Sequence, residues 1–132
     1  MNFTFQKEER LKSRKLIEQL YKEGTFIKVF PLRMLYLQTE HTSNFPAQAG
    51  VSVPKRNFKR AVDRNRLKRL LRESYRKQKY TVYDAAEKPY VFMISYLGKE
   101  MWSLAEIEPK MEKLLTLFAS EITKSTGEED KN

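Results

Sequence analysis

The side chains best suited to chemistry in this 132-residue chain are cations, and they are gathered in one place. Between Pro54 and Lys79 the sequence reads PKRNFKRAVDRNRLKRLLRESYRKQK, with twelve basic residues and two acids, a local net charge of +10. The whole chain carries +9, so everything outside this stretch sums to −1. The positive charge is a local device. Most of these cations are arginines, whose planar fork suits phosphate oxygens and guanine edges. An ordinary solvated helix face mixes signs to gain i,i+4 ion pairs. Here only Asp63 and Glu73 interrupt the run, and the density of like charge points to an anionic partner, nucleic acid ahead of a membrane.

Self-sufficient catalysis has little to work with. Cysteine is absent, which removes disulfides, a disulfide-linked partner, thiolate metal sites and a thiol nucleophile. His41 is the sole histidine and falls in a polar loop, where a solvated surface role is expected. Asp63 and Glu73 stand ten residues apart, about 15 Å along a helix, too far to share a metal ion. Neither a Gly-rich phosphate loop nor a nucleophile triad is present. No catalytic residue and no protein metal site are therefore expected.

The elements that hold these residues follow from periodicity. On a helical wheel Asp63 to Arg76 separates into a side bearing Leu67, Leu70, Leu71 and Ser74 and an opposite half bearing Arg64, Asn65, Lys68, Arg69, Arg72 and Arg76, with Asn57 as the expected N-cap. Lys55, Arg56, Lys59 and Arg60 surround the start of that helix, where the dipole already favours anions. Upstream, residues 1–12 read as an extended arm with Phe3 and Phe5. Leu16, Ile17, Leu20 and Tyr21 predict a helix over 14–23, capped by Ser13 and closed by Gly24 in a left-handed conformation. Phe26–Val29, Leu32–Gln38 and Gln48–Val53 read as strands, with Pro31 as a break and 41–46 as a loop. Residues 80–88 read as a polar connection. The apolar run Tyr90–Tyr96 predicts a buried central strand, and Glu106–Thr123 a closing helix with Pro109 in its first turn. The expected architecture is a single α+β domain over 1–124, a small mixed sheet of three to four strands in α-β-β-β-α-β-α order, with a frayed tail over 125–132. The N-terminus lacks a signal-peptide pattern and no apolar run reaches membrane-span length, so a soluble cytoplasmic protein without membrane partner is expected.

The segment Ala61-Val62-Asp63-Arg64-Asn65-Arg66-Leu67-Lys68-Arg69-Leu70-Leu71-Arg72, with Val51-Ser52-Val53 and Lys55-Arg56 before it, resembles the RNR signature of the bacterial ribonuclease P protein subunit. Arg10-Leu11-Lys12, Tyr21-Lys22-Glu23-Gly24 and Leu35-Tyr36 extend the resemblance over about residues 10–120. It implies a cofactor protein that binds a large catalytic RNA and helps remove the 5′ leader of precursor tRNA, with Mg2+ bound mainly by the RNA. It also implies a left-handed βαβ crossover, against the ordinary rule. By the same resemblance Lys55, Arg56, Lys59, Arg60, Arg64, Asn65, Arg66, Lys68, Arg69 and Arg72 bind the catalytic RNA. Tyr21, Tyr36 and Ile17 would line a cleft for the single-stranded leader, where aromatic stacking tolerates any sequence. Ile17 replaces an aromatic common in the family, and Tyr96 replaces a common basic residue. Two other uses of a basic helix stay open: a non-catalytic structural RNA-binding module, such as a ribosomal or tRNA-binding protein, and a DNA-binding domain that reads a groove.

Overall fold

The computed structural model describes residues 4–41 and 43–130, with side chains described as far as 124. Its elements are a 3₁₀ turn at Lys7–Glu9, α1 (Arg14–Glu23), β1 (Thr25–Val29), β2 (Leu32–Gln38), β3 (Ala47–Ser52), α2 (Ala61–Gln78), α3 (Tyr80–Ala85), β4 (Tyr90–Tyr96) and α4 (Leu104–Asp130). The sheet runs β1-β2-β4-β3, antiparallel except for the β3/β4 pair, which is parallel. Two parallel neighbours need a crossover, and α2 with α3 supplies it. This is the expected α+β domain with a four-stranded mixed sheet.

β4 lies between β2 and β3, and all seven of its residues are buried, as its unbroken apolar run requires. One face of the sheet packs against α2, α3 and α4 through Met34, Phe92, Ile94, Leu67, Leu71 and Phe118. The other face is covered by α1, whose Leu20 meets Leu35, Val91 and Met93. Alternate residues of each strand thus serve two separate cores.

Several local expectations need correction. Ser13 does cap α1, its Oγ accepting from the Leu16 amide at 3.3 Å. Gly24, however, is extended (φ −71°, ψ 161°) rather than left-handed. Glycine is required there by space: a Cβ would stand 2.5 Å from the Leu20 carbonyl oxygen and 2.7 Å from Leu35 Cδ1. Residues 80–85 form a helix because Val82 is fully buried and Tyr83 packs against the same core. The closing helix begins at Leu104, set by a capping box in which the Glu106 amide donates to Ser103 Oγ and the Ser103 amide donates to Glu106 Oε1. Pro109 therefore falls beyond the first turn. The backbone of α4 continues to Asp130, past the expected end at Thr123. The side chains of the tail expected to fray, 125–132, lie outside the described residues, as does Phe3.

The N-terminal arm is pinned. Leu11 N donates to the Ala49 carbonyl at 2.9 Å, and Arg10 bridges to Ala49 in parallel, extending the sheet beside β3. Phe5 packs edge-on against Tyr75, with ring centroids 5.6 Å apart. Beneath it Glu9, fully buried, accepts from Lys79 Nζ and from the Tyr83 hydroxyl, each at 2.6 Å. Lys79 also donates to the Thr4 carbonyl. Burial first, then the neighbouring Tyr75 and Glu9, raises Tyr83 above the ordinary phenol range. Among the described residues no helix is long and apolar enough to cross a membrane.

Candidate nucleic-acid interface

α2 is held by one stripe and shows charge on the rest. Leu67, Leu71, Ser74 and Tyr75 are buried at i, i+4, i+7 and i+8, the spacing of an amphipathic helix. Leu70, expected in that stripe, is half-buried at its margin. Lys55, Arg56, Lys59, Arg60, Asn65, Arg66, Arg69 and Arg72 are exposed, and Arg64 and Lys68 are half-buried.

The helix start differs from expectation. Asn57 does not cap it: its side-chain amide donates to the Leu97 carbonyl at 3.3 Å, and the N-cap residue is Arg60, without a side-chain cap. The approach to the helix is fixed instead by Phe58, buried 6.0 Å (centroid to centroid) from Tyr96, and by Arg64, whose Nη1 donates to the Phe58 and Lys59 carbonyls at 2.8 Å each. Arg64 thus braces the loop bearing Lys55 to Arg60, and no ion pair joins it to Asp63 among the described residues. The amides of α2's first turn remain without a side-chain cap, next to Lys59 and Arg60. That end is suited to an anion.

Pairing divides the basic stretch. Arg76 pairs with Glu73, Lys77 Nζ lies 3.1 Å from Glu108 Oε1, and Lys79 is buried against Glu9. The hydrogen bond from Arg76 holds the Glu73 carboxyl below the usual carboxylate range. Among the described residues, no carboxylate pairs with any cation from Lys55 to Arg72. Although Arg72 is exposed overall, partial desolvation of its guanidinium, and then the Arg10 charge, disfavour its protonated form. Arg72 and Arg10 both line a groove of about 310 Å³ together with Lys12, Ile17, Gly50 and Met93. Arg10 and Lys12 line this groove although composition alone did not single them out; two basic residues flanking the apolar Leu11 were the signal.

The expected aromatic cleft is only half assembled. Ile17 packs against the α1 face of the sheet, and Tyr21 is 54% exposed on the same helix. Tyr36 is on the opposite face. Strand alternation gives Leu35 and Leu37 to α1, and turns Tyr36 toward α4, where its ring meets Phe118 edge-on at 4.9 Å. Burial, and secondarily Glu121, raises the Tyr36 hydroxyl. Tyr36 does not share a cleft with Tyr21. Tyr96 is likewise structural: fully buried, it donates to the Glu100 carbonyl, and burial pushes its hydroxyl up to about 12. His41 is half-buried rather than solvated, its Nδ1 accepting from the Ser43 amide at 3.3 Å. Among the described residues no three His, Asp or Glu side chains converge to hold a metal ion.

The fold and site together define a class: a small α+β protein that presents, on the crossover between two parallel strands, a cationic helix whose cations up to Arg72 have no carboxylate partner among the described residues. Residues 5–118 match the family described as Ribonuclease P. The ribonuclease P protein component of Porphyromonas gingivalis is 35% identical over 127 residues, 93% of this chain and 92% of that protein. That of Chlorobaculum tepidum is 28% identical over 113 residues, 80% of this chain and 71% of its own. The solved ribonuclease P protein of Thermotoga maritima superimposes with a TM-score of 0.64 at 23% identity, covering 82% of this chain and 96% of that one. The Staphylococcus aureus protein gives 0.65 at 19%, covering 83% and 94%. These structural likenesses speak for the fold, and the sequence matches for the family. The chain belongs to the ribonuclease P protein family, the protein components of a tRNA-processing endoribonuclease.

Proposed function

We propose that this chain binds the catalytic RNA of ribonuclease P through the segment from Lys55 to Arg72 and the 5′ leader of precursor tRNA through the groove beside α1. The observation that carries the first part is that, among the described residues, nine cations on one loop and helix have no carboxylate partner, while every cation after Arg72 in the stretch has one. Like charges at this density repel, and a phosphate backbone relieves them. Lys55, Arg56, Lys59 and Arg60 would receive phosphates at the N-terminus of α2. Asn65, Arg66, Lys68, Arg69 and Arg72 would follow along its exposed side, with Arg64 bracing the loop between them.

Arg10, Lys12 and Arg72 give the groove a positive rim, and Ile17 gives it an α1 wall, with exposed Tyr21 one turn further along that helix. That combination suits a single-stranded polyanion with unpaired bases. Hydrolysis of the phosphodiester, and the Mg2+ that assists it, are assigned to the RNA subunit. The described side chains lack a convergent acid cluster, and the protein's part is to bind, orient and neutralise. Such a subunit works where precursor tRNA is made, which places it in the cytoplasm.

The test is reconstitution. The purified protein, mixed with the catalytic RNA of a bacterial ribonuclease P at low magnesium, is expected to raise precursor-tRNA cleavage above that of RNA alone. No stimulation would overturn the assignment in favour of a structural RNA-binding module.

A further inference from the structure

The α1 face of the sheet is only partly covered by α1. In register, one row across it runs Gly50, Met93, Leu35, Phe26, and the next runs Ser52, Ser95, Arg33, Lys28. The first row carries the Leu35 and Met93 side chains that α1 covers. The second has no large apolar side chain: two serines at the β3 end, Ser95 buried and Ser52 half-buried, and at the β1 end two cations, Arg33 half-buried and Lys28 exposed. Residues paired across neighbouring strands share a face, so these rows form a strip three strand spacings long, ~14 Å. Its β3 end adjoins Gly50, which lines the groove with Arg10, Ile17 and Arg72. Its β1 end is closed by Phe26, 55% exposed, with the Arg33 guanidinium over the ring at 4.8 Å from its centroid.

We propose that Phe26 and Arg33 form a base-stacking platform at the far end of the leader groove, holding an unpaired nucleotide of the precursor-tRNA leader after it has crossed the sheet from α2. The inference rests on the leader reading above and adds residues to it. An exposed phenylalanine alone means little. Here the ring is joined to a planar guanidinium that no carboxylate engages among the described residues, and Lys28 stands on the same face. A stacked ring and guanidinium, cationic surroundings and continuity with a positive groove fit a nucleobase attached to a phosphate chain, because each contributes to binding single strands. An apolar protein partner would gain nothing from Arg33 and Lys28. The position also accounts for how this chain manages with Ile17 on α1 and Tyr36 turned to the other face: Phe26 supplies an aromatic surface on the correct one.

The experiment uses the reconstituted holoenzyme and precursor tRNAs carrying 2-aminopurine at successive leader positions. Wild type is expected to quench one position distal to those nearest the cleavage site. Phe26→Ala should abolish that quenching and weaken binding of the long-leader substrate about tenfold, while Phe26→Trp retains both. Arg33→Lys, which keeps the charge without the planar fork, should lose part of the quenching. Binding of a leaderless tRNA should be unchanged in every variant, and thermal melts check that each is folded. Full quenching in Phe26→Ala, or an equal loss with leaderless tRNA, would overturn the platform while leaving the leader groove standing. Wild-type holoenzyme that binds long-leader and leaderless substrates equally would overturn the groove reading, and the platform with it.

Discussion

Among the described residues, nine cations between Lys55 and Arg72 stand without a carboxylate partner, whereas Arg76, Lys77 and Lys79, the last three of the same basic stretch, each have one. By composition the two parts are alike. Position separates them: the C-terminal end of α2 faces α4 and the N-terminal arm, which supply Glu108 and Glu9, while among the described residues no acid pairs with a cation of the earlier part. One part is balanced within the fold and contributes to holding it. The other, on the proposed reading, is completed by RNA.

The largest effect that would sharpen this contrast is on stability. Lys79→Met leaves Glu9 buried and unpaired, and breaking a buried pair from one side costs about 3–5 kcal/mol, to be read by denaturant unfolding. The RNA affinity of the molecules that remain folded should change little. If Lys79→Met weakened RNA binding as strongly as Arg66→Ala, the division into two parts would fail. Leu71→Ala, which empties a fully buried site under α2, should cost about 2–5 kcal/mol by the same measurement. Next in size is pH. Tyr83 and Tyr96 are raised in the folded chain, Tyr96 to about 12, from an unfolded value near 10. The folded state then holds more protons than the unfolded one above pH 10. Stability from this source is full below about pH 10 and is lost as pH rises toward 12, which urea midpoints across that range will report. The smallest effect is Arg76→Ala, expected to leave the urea midpoint nearly unchanged because its pair with Glu73 is partly exposed.

Much of this fold can be read from sequence where one signal dominates. The unbroken run Tyr90–Tyr96 marks a central strand, Ser13 marks a helix start, and the leucine spacing from Leu67 marks the buried side of α2. Features that depend on partners distant in sequence were not legible. Lys79 looks like one more cation until the fold brings Glu9 to it across seventy residues. Tyr36 reads as a cleft aromatic beside Leu35, yet period-two alternation gives the cleft side to its neighbours, and only the packing of α1 and α4 decides which face is which. Asn57 has the chemistry of an N-cap, but the helix does not begin until Ala61, because Phe58 is drawn into the core and Arg64 binds the carbonyls behind it. The Ser103–Glu106 capping box was present in the sequence and sets the true start of α4.

The most direct test compares the salt dependence of catalytic-RNA binding in the wild type, Arg66→Ala/Arg69→Ala and Arg76→Ala/Lys77→Ala. Each phosphate neutralised contributes about −0.7 to −0.9 to the slope of log K against log salt concentration. The account predicts that the Arg66/Arg69 variant loses affinity and flattens the slope by about 1.4–1.8, while the Arg76/Lys77 variant keeps the wild-type slope. Equal slopes for the two variants, or a wild-type affinity indifferent to salt, would contradict it.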